Sequence, residues 1–251
     1  MEQRKTGRIR TAEGIRFLKV KIGGFQKVSL IDYPGKISAI VFTRGCNFRC
    51  PYCHNPELVD PDRYGALVAE EEILAFLEKR RGRLDAVTVT GGEPMLQAHL
   101  VRFLTTVREM DYFIKVDTNG SFPHVVENLI RLKLVDYWAM DVKGPLNKYG
   151  KITATAVDTS NVLKSIELIK SSGSDYEFRT TVVKSQLSRR DLNSTARMLG
   201  KPNLYILQPF NACKTLDQEF LAEESYSREE FTEICRSLGK TCARVEVRLT
   251  S

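Results

Sequence analysis

The sequence predicts an α/β protein built as a partial (β/α)6 barrel, and three observations lead to this fold class. Short β-rich runs alternate with amphipathic stretches of about 10–15 residues, which favours a parallel sheet with right-handed crossovers. Roughly six such units fit within the 251 residues. Polar and glycine-rich segments recur where successive predicted strands end, and parallel β/α folds bind ligands at that edge. A doubly wound open sheet is the alternative.

The predicted elements follow one another in a regular order. A short strand at 27–30 and a strand at 38–44 come first, and a helix at 68–80 follows them. In this helix Ile73 and Leu77 lie on one side, as the spacing of an amphipathic helix requires. Later strands are predicted at 86–90, 112–118, 135–142, 176–184, 203–208 and 243–249, and later helices at 95–109, 124–134, 160–171, 188–199 and 227–238.

The composition indicates one globular domain. Hydrophobic residues make up 42% of the chain and charged residues 27%, which is enough apolar material for a sizeable core. No apolar run approaches the roughly 18 residues of a transmembrane helix. No apolar segment follows the basic N-terminus, so we expect no secretory signal and a cytoplasmic location. We predict a single domain over 25–251 and a basic extension over 1–24.

The positive charge is concentrated at the N-terminus. Eight Lys or Arg against two Glu give residues 1–27 a net charge of +6, out of +7 for the whole chain. Such an arm could bind an acidic partner or nucleic acid. It has almost no aromatic residues to stack on bases, so nucleic-acid binding is not expected and a solvated tail is the simpler interpretation.

Three of the six cysteines lie within eight residues, at Cys46, Cys50 and Cys53. Disulfides are uncommon in cytosolic proteins, so this C-x3-C-x2-C spacing indicates a metal or redox site. Three thiolates could ligate three irons of one cubane cluster and leave the fourth iron open. Structural zinc requires four ligands, and His54 is awkwardly placed to be the fourth.

Two shorter motifs overlap the cysteine cluster. Cys50 to Cys53 reads C-P-Y-C, a glutaredoxin-like dithiol. Cys50 to His54 reads C-x-x-C-H, the pattern of c-type haem attachment, which requires export. Neither motif accounts for Cys46. The other cysteines are scattered; an auxiliary cluster on them is less expected than buried or incidental thiols, at Cys213, Cys235 and Cys242.

A glycine motif, Gly91-Gly92-Glu93-Pro94, follows the strand at 86–90. The glycines would let the backbone approach a ligand closely, and the carbonyls with Glu93 could accept from a cationic amine. The alternative is a tight turn with Pro94 at the first helical position. Two further polar segments end the next strands, at 117–120 and 140–143.

The C-x3-C-x2-C motif with Tyr52 before its last cysteine, followed by Gly91-Gly92-Glu93-Pro94, resembles the radical S-adenosylmethionine (SAM) superfamily. The resemblance implies a [4Fe–4S] cluster on the three cysteines and SAM as cofactor. It also implies reductive cleavage of SAM to methionine and a 5′-deoxyadenosyl radical. The segment at 91–94 would bind the methionyl amino group.

The stretch S-L-I-D-Y-P-G-K at 29–36, with R-G-C-N-F-R-C-P-Y-C-H-N-P-E-L at 44–58, looks like the activating proteins of anaerobic ribonucleoside-triphosphate reductase. These are glycyl-radical-enzyme activases. The resemblance, over roughly 23–210, implies a class III ribonucleotide reductase as partner, a flavodoxin- or ferredoxin-type electron donor and an anaerobic setting. The alternatives are a small-molecule enzyme like the 7-carboxy-7-deazaguanine synthases and a non-catalytic iron–sulfur electron carrier.

The same resemblance assigns roles at the strand ends. A monovalent cation would be held by Asp117, Thr118, Met140 and Asp141. Lys143 would lie near the methionyl carboxylate of SAM. Arg179 would contact the ribose or the carboxylate, with a structural salt bridge as the alternative. Asn211 stands where the pyruvate formate-lyase activase has a histidine. The predicted cofactor contacts are Tyr52, Gly91, Gly92, Glu93, Pro94, Asp117, Asn119, Asp141, Lys143 and Arg179.

Overall fold

The computed structural model describes residues 19–248, and one eight-stranded sheet runs through them. The strands are β1 (Ile22–Tyr33), β2 (Lys36–Thr43), β3 (Ala86–Gly91), β4 (Phe113–Thr118), β5 (Tyr137–Asp141), β6 (Asp175–Val182), β7 (Tyr205–Pro209) and β8 (Val245–Val247). The helices are α1 (Pro56–Val59), α2 (Glu70–Arg80), α3 (Leu100–Glu109), α4 (Pro123–Arg131), α5 (Tyr149–Thr153), α6 (Thr159–Lys170), α7 (Arg189–Leu199) and α8 (Arg228–Leu238).

The strands pair in the order in which they occur in the chain. β1 and β2 form an antiparallel hairpin whose turn includes Gly35, at a φ of +71° that favours glycine. From β2 to β8 every pair is parallel, and each of the six connections carries helix. The predicted partial (β/α)6 barrel is therefore confirmed, and the doubly wound alternative is wrong.

The sheet curls but does not close. Tyr33 on β1 packs against Tyr137 on β5, with ring centroids 5.7 Å apart, although three strands separate β1 from β5 in the sheet. Among the described strands, β1 and β8 are the two unpaired edges. The barrel is thus open on one side, between its first and last strands.

The two faces of the sheet differ in polarity. The outer face is covered by the helices; Ile114 and Val116 of β4 are fully buried beneath them. The inner face carries charged side chains, including Lys115 on the same strand and Glu177 on β6. Period-two alternation explains this division, since consecutive residues of a strand point to opposite faces. The interior of the barrel is therefore a polar, ligand-sized space.

Several element boundaries differ from the predictions. The predicted helix at 95–109 is divided into a 3-10 turn at Pro94–Leu96 and α3, because the Gln97 side chain bonds the backbone of Lys21 and Arg44. β1 begins at Ile22, so residues 22–24 of the predicted extension belong to the sheet. Residues 1–18 of that extension lie outside the described residues. The short helices α1 and α5 were not predicted. No helix within 19–248 is long and apolar enough to cross a membrane.

Candidate active site: a cysteine loop at the rim of the barrel

The three clustered cysteines lie on the loop between β2 and α1. Gly45 turns this loop at a φ of +102°, and its N–H donates to the carbonyl of Leu58 at 2.7 Å. The buried ring of Phe48 anchors the loop against Tyr149. Arg49 N donates to Thr153 O at 2.9 Å. All three thiols line one cavity of about 600 Å³ that extends down into the barrel.

Burial shapes the chemistry of these thiols. It raises the pKa of Cys46 to about 12, and it raises the pKa of Cys50 and Cys53 as well. A glutaredoxin-like dithiol would use Cys50 and Cys53 alone, and it would leave Cys46, which lines the same cavity, without a role. Within residues 19–248 no three His, Cys, Asp or Glu side chains are arranged around a single point as ligands of one metal ion. Three separated thiols facing one cavity suit a multi-iron cluster.

Tyr52 provides an independent test of that fit. Its side chain is 4% exposed, and its hydroxyl has no nitrogen or oxygen partner at hydrogen-bond geometry among the described residues. The hydroxyl lines the same cavity and lies near enough to the Cys50 thiol to lower the pKa of that thiol against the effect of burial. A neutral thiol is a weak acceptor, and a sulfur-rich anionic cluster would supply a stronger one. The residues present therefore fit a [4Fe–4S] cluster on Cys46, Cys50 and Cys53.

The segment after β7 covers the cysteine loop from the other side. His54 Nε2 donates to the carbonyl of Asn211 at 2.8 Å, and its ring stacks on Phe210. Asp217 N donates to the carbonyl of Pro51 at 3.0 Å. His54 thus holds the cysteine loop against the segment after β7. Asn211 takes part through its backbone carbonyl.

The two glycines of the GGEP segment are required by close backbone packing. A Cβ on Gly91, whose φ is +112°, would lie 2.5 Å from Thr43 N, and one on Gly92 would lie 2.1 Å from Gly45 O. Gly92 N donates to Thr43 O and Glu93 N donates to Gly45 O, both at 2.8 Å. The glycines therefore join β3 to the cysteine loop, while both also line the cavity, as predicted for cofactor contacts.

Glu93 has a role that the sequence did not predict. Its carboxylate is 0% exposed and accepts from Met95 N at 3.0 Å, Thr118 Oγ1 at 2.8 Å and Asn119 N at 2.7 Å. Burial raises its pKa to about 7. It caps the turn at Pro94 and ties β3 to the end of β4, so its side chain does not face the cavity. The Glu93 carboxylate is therefore not positioned to accept a hydrogen bond from an amine bound in the cavity.

Asn119 lies at the cavity and connects two rim segments. Its Nδ2 donates to Asn47 Oδ1 at 2.9 Å, and Asn47 Nδ2 donates to Ser121 Oγ at 2.9 Å. The cysteine loop and the end of β4 are thus joined by a chain of amide hydrogen bonds. Asn119 lines the cavity, and its contact with the cofactor stays a prediction.

Asp117 and Asp141 end β4 and β5 and face the cavity, as predicted. Burial alone would raise the pKa of Asp141, but Arg179 and Lys143 lower it to about 2. Arg179 and Lys115 likewise lower the pKa of Asp117 against the effect of burial. Both carboxylates are therefore ionised at neutral pH, and each has two cationic neighbours.

Lys143 remains available at the rim. Its Nζ lies 3.3 Å from Asp141 Oδ2, and its backbone N–H donates to Tyr149 OH. Burial works to lower the pKa of Lys143, but Asp141, with Tyr52 and Cys50, raises it well above the usual value. A fixed ammonium group beside the cysteines is suited to a carboxylate ligand, consistent with the predicted contact.

Cavity residues that were not predicted from the sequence include Lys115, Thr181 and Arg248. Lys115 stands two positions before Asp117 on β4, so both side chains point to the same face of the sheet. This alternation could have predicted that Lys115 faces the cavity. Arg248 pairs with buried Glu177 at 2.8 Å. The scattered cysteines, at Cys213, Cys235 and Cys242, do not assemble a metal site with each other in the described part of the chain.

Comparison with known proteins agrees with this geometry. The family model described as the radical SAM superfamily matches residues 40–199. A candidate glycyl-radical enzyme activating enzyme of Methanocaldococcus jannaschii is 34% identical over 236 residues, covering 92% of this chain and 97% of that protein. The 7-carboxy-7-deazaguanine synthase of Clostridium acetobutylicum is 28% identical over 177 residues, covering 70% of this chain and 74% of the other.

A solved structure supports the fold. Coproporphyrinogen III oxidase from Escherichia coli, a radical SAM enzyme, has a TM-score of 0.59 at 14% identity, covering 84% of this chain and 54% of the other. The chain belongs to the radical SAM superfamily, which implies the [4Fe–4S] cluster and SAM. Within the superfamily it is an enzyme of the glycyl-radical-enzyme activating class.

Proposed function

We propose that this enzyme activates an anaerobic, class III ribonucleoside-triphosphate reductase by generating a glycyl radical on it. The observation that carries the proposal concerns the segment at 29–36, which resembles reductase activators. It forms the tip of the β1–β2 hairpin at the start of β2, and its residues Ile31 and Asp32 line the same cavity as the cysteines. They lie at the end of that cavity opposite the cysteine loop, which follows Thr43 at the other end of β2. The segment with the partner-specific resemblance therefore borders the far end of the space in which SAM would be bound.

The surface beside the cavity is suited to a protein partner. Val28, Leu30 and Ile31 on β1 are 49%, 71% and 67% exposed. Apolar side chains grouped at the open side of a barrel favour contact with another protein. The cavity would receive the glycine of the partner while the barrel wall excludes water.

The roles of the residues follow from their positions. Cys46, Cys50 and Cys53 would hold the cluster, and Lys143 would hold the carboxylate of SAM. The glycine backbone at 91–92 would lie along the methionyl group. When bound, the reduced cluster and SAM supply the radical that removes a hydrogen atom from the partner's glycine. The protein positions the two cofactors and keeps the reacting atoms close together. We further propose a flavodoxin- or ferredoxin-type donor and a cytoplasmic location.

The test is anaerobic activation of the class III reductase from the same genome. Reconstituted enzyme, SAM and dithionite should produce a glycyl-radical doublet in the electron paramagnetic resonance spectrum of the reductase. The Cys50→Ala variant should produce none. Formation of 5′-deoxyadenosine without a glycyl radical on the reductase would contradict the partner assignment.

A small-molecule reaction is the second candidate, because the deazaguanine synthase relative covers 70% of this chain. Its test is turnover of a free pterin substrate by the same preparation. Pterin turnover together with an unmodified reductase would favour this alternative.

A further inference from the structure

Arg179 on β6 lies between the two carboxylates that were predicted to bind a monovalent cation. Its Nε is 2.9 Å from Asp141 Oδ1, and its Nη2 is 3.1 Å from Asp117 Oδ2. The third nitrogen, Nη1, is 3.9 Å from Glu177 Oε1. The side chain is only 12% exposed. A planar guanidinium that bridges two carboxylates is a strong, geometrically fixed interaction.

The other two predicted cation ligands point elsewhere. Thr118 Oγ1 donates to Glu93 at 2.8 Å, which engages this hydroxyl in the β3–β4 connection. The Met140 side chain is fully buried and packs on Gly120, where an added Cβ would lie 2.0 Å from the Met140 Cε, so Met140 could offer a cation only its backbone carbonyl. Of the four predicted residues, only Asp117 and Asp141 thus offer this space a side-chain oxygen that is not engaged elsewhere on the sheet, and Arg179 bridges these two.

The charges around the two carboxylates are also unfavourable for a free cation. Asp117 contacts Lys115 and Arg179, and Asp141 contacts Lys143 and Arg179. With Glu177, which contacts Arg179 and Arg248, four protein cations thus face three carboxylates. A bound sodium or potassium ion would add like charge at close range in a buried site.

We propose that Arg179 takes the place of the monovalent cation in this enzyme. Its guanidinium neutralises Asp117 and Asp141 and fixes the ends of β4 and β5 beside the SAM site, so that SAM binding requires no added cation. Arg179 is a positioning residue in this proposal, since its three nitrogens are directed to acidic side chains. The proposal concerns SAM binding alone, and its outcome does not depend on which protein is activated.

The first test uses the wild-type holoenzyme, with its cluster reconstituted. SAM affinity is measured by calorimetry in potassium, sodium and tetramethylammonium chloride at equal ionic strength. Uncoupled formation of 5′-deoxyadenosine is followed in parallel. We expect SAM dissociation constants that agree within about twofold across the three salts, because screening is equal. A clear gain in affinity that is specific to potassium or sodium would overturn the proposal.

The second test removes the guanidinium. Arg179→Ala should bind SAM about tenfold more weakly or worse in tetramethylammonium chloride, because two partly buried carboxylates lose their shared partner. Potassium or guanidinium chloride should restore the affinity by filling the vacated space. The control is Arg189→Ala, which removes an exposed ion pair to Glu233 on the outer helices and should show no cation dependence.

Two results of this second test contradict the proposal. One is unchanged SAM affinity in Arg179→Ala, and the other is a loss that neither cation restores. Thallium(I) NMR provides a readout without turnover: a bound-ion signal is expected in Arg179→Ala and not in the wild type. Should Arg179→Ala not fold, Arg179→Gln keeps most of the volume without the charge and is judged by the same criteria.

Discussion

Gly92 offers the sharpest test of how the sheet supports the cysteine loop. A Cβ at this position would lie 2.1 Å from the Gly45 carbonyl oxygen and 2.7 Å from the Gly45 carbon. Both atoms are backbone, so no side-chain rotation can relieve the contact. In Gly92→Ala the loop that begins at Gly45 must therefore move away from β3 by about 1 Å to restore van der Waals contact.

The expected loss of stability in Gly92→Ala follows from the contacts that this movement disrupts. Two hydrogen bonds of 2.8 Å join the segments, from Gly92 N to Thr43 O and from Glu93 N to Gly45 O. Each contributes about 1 kcal/mol, and forcing a methyl group into closed packing costs about 1–3 kcal/mol. We expect Gly92→Ala to lower the free energy of unfolding by about 3 kcal/mol, and the melting temperature of the apo-protein by about 10 °C.

The assay combines thermal unfolding of the apo-protein with iron content after cluster reconstitution. Gly92→Ala should lose both stability and cluster, because Cys46 adjoins the displaced Gly45. Gly65→Ala is the matched control: nothing lies within 4 Å of its added Cβ, and its φ is not positive. It should change stability by less than about 0.5 kcal/mol. Wild-type stability and iron content in Gly92→Ala would refute the packing argument.

Two further predictions concern buried polar groups. Burial raises the pKa of Glu93 from 4.5 to about 7, so between these values the folded apo-protein holds more protons than the unfolded chain. Stability should therefore fall as pH rises from about 4.5 to 7, by about 3 kcal/mol in total. Glu93→Gln should flatten that slope in urea titrations, and equal slopes would contradict the assignment. Tyr112 OH donates to Leu77 O at 2.7 Å in the core, so Tyr112→Phe should cost about 1–2 kcal/mol while iron content stays unchanged. A loss of cluster in Tyr112→Phe would show that this bond acts on the site.

The regular α/β alternation made most of the fold predictable from the sequence. β3 to β7 and α6 to α8 begin and end within about two residues of their predicted positions, the usual uncertainty at element ends. The start of α3 could not be predicted, because it depends on the Gln97 side chain bonding Lys21 and Arg44, which are distant in sequence. β1 was predicted only in part, since an irregular antiparallel edge strand has weak alternation.

The sequence predicted those parts of the site whose residues are close together in the chain. It did not predict the interactions between residues that are distant in the chain. The spacing of the three cysteines was sufficient to locate the loop. The partners of Glu93 and Arg179 come from other strands, and a single sequence does not specify which carboxylate a buried arginine will bridge. Lys115 was accessible in principle, because it alternates with Asp117 on β4. The monovalent-cation site at the ends of β4 and β5 stays a prediction, which the Arg179 geometry opposes.

The hydrogen bonds between the cysteine loop and the segment after β7 have a consequence for biosynthesis. Cys46 to Cys53 emerge early from the ribosome, and the residues that cover them, through Asn211 and Asp217, emerge about 160 residues later. Synthesis proceeds at about 5–20 residues per second. The cysteine loop thus stays uncovered for many seconds during translation. That interval is a window in which the iron carrier of the cell can reach the nascent cluster site before the barrel is finished.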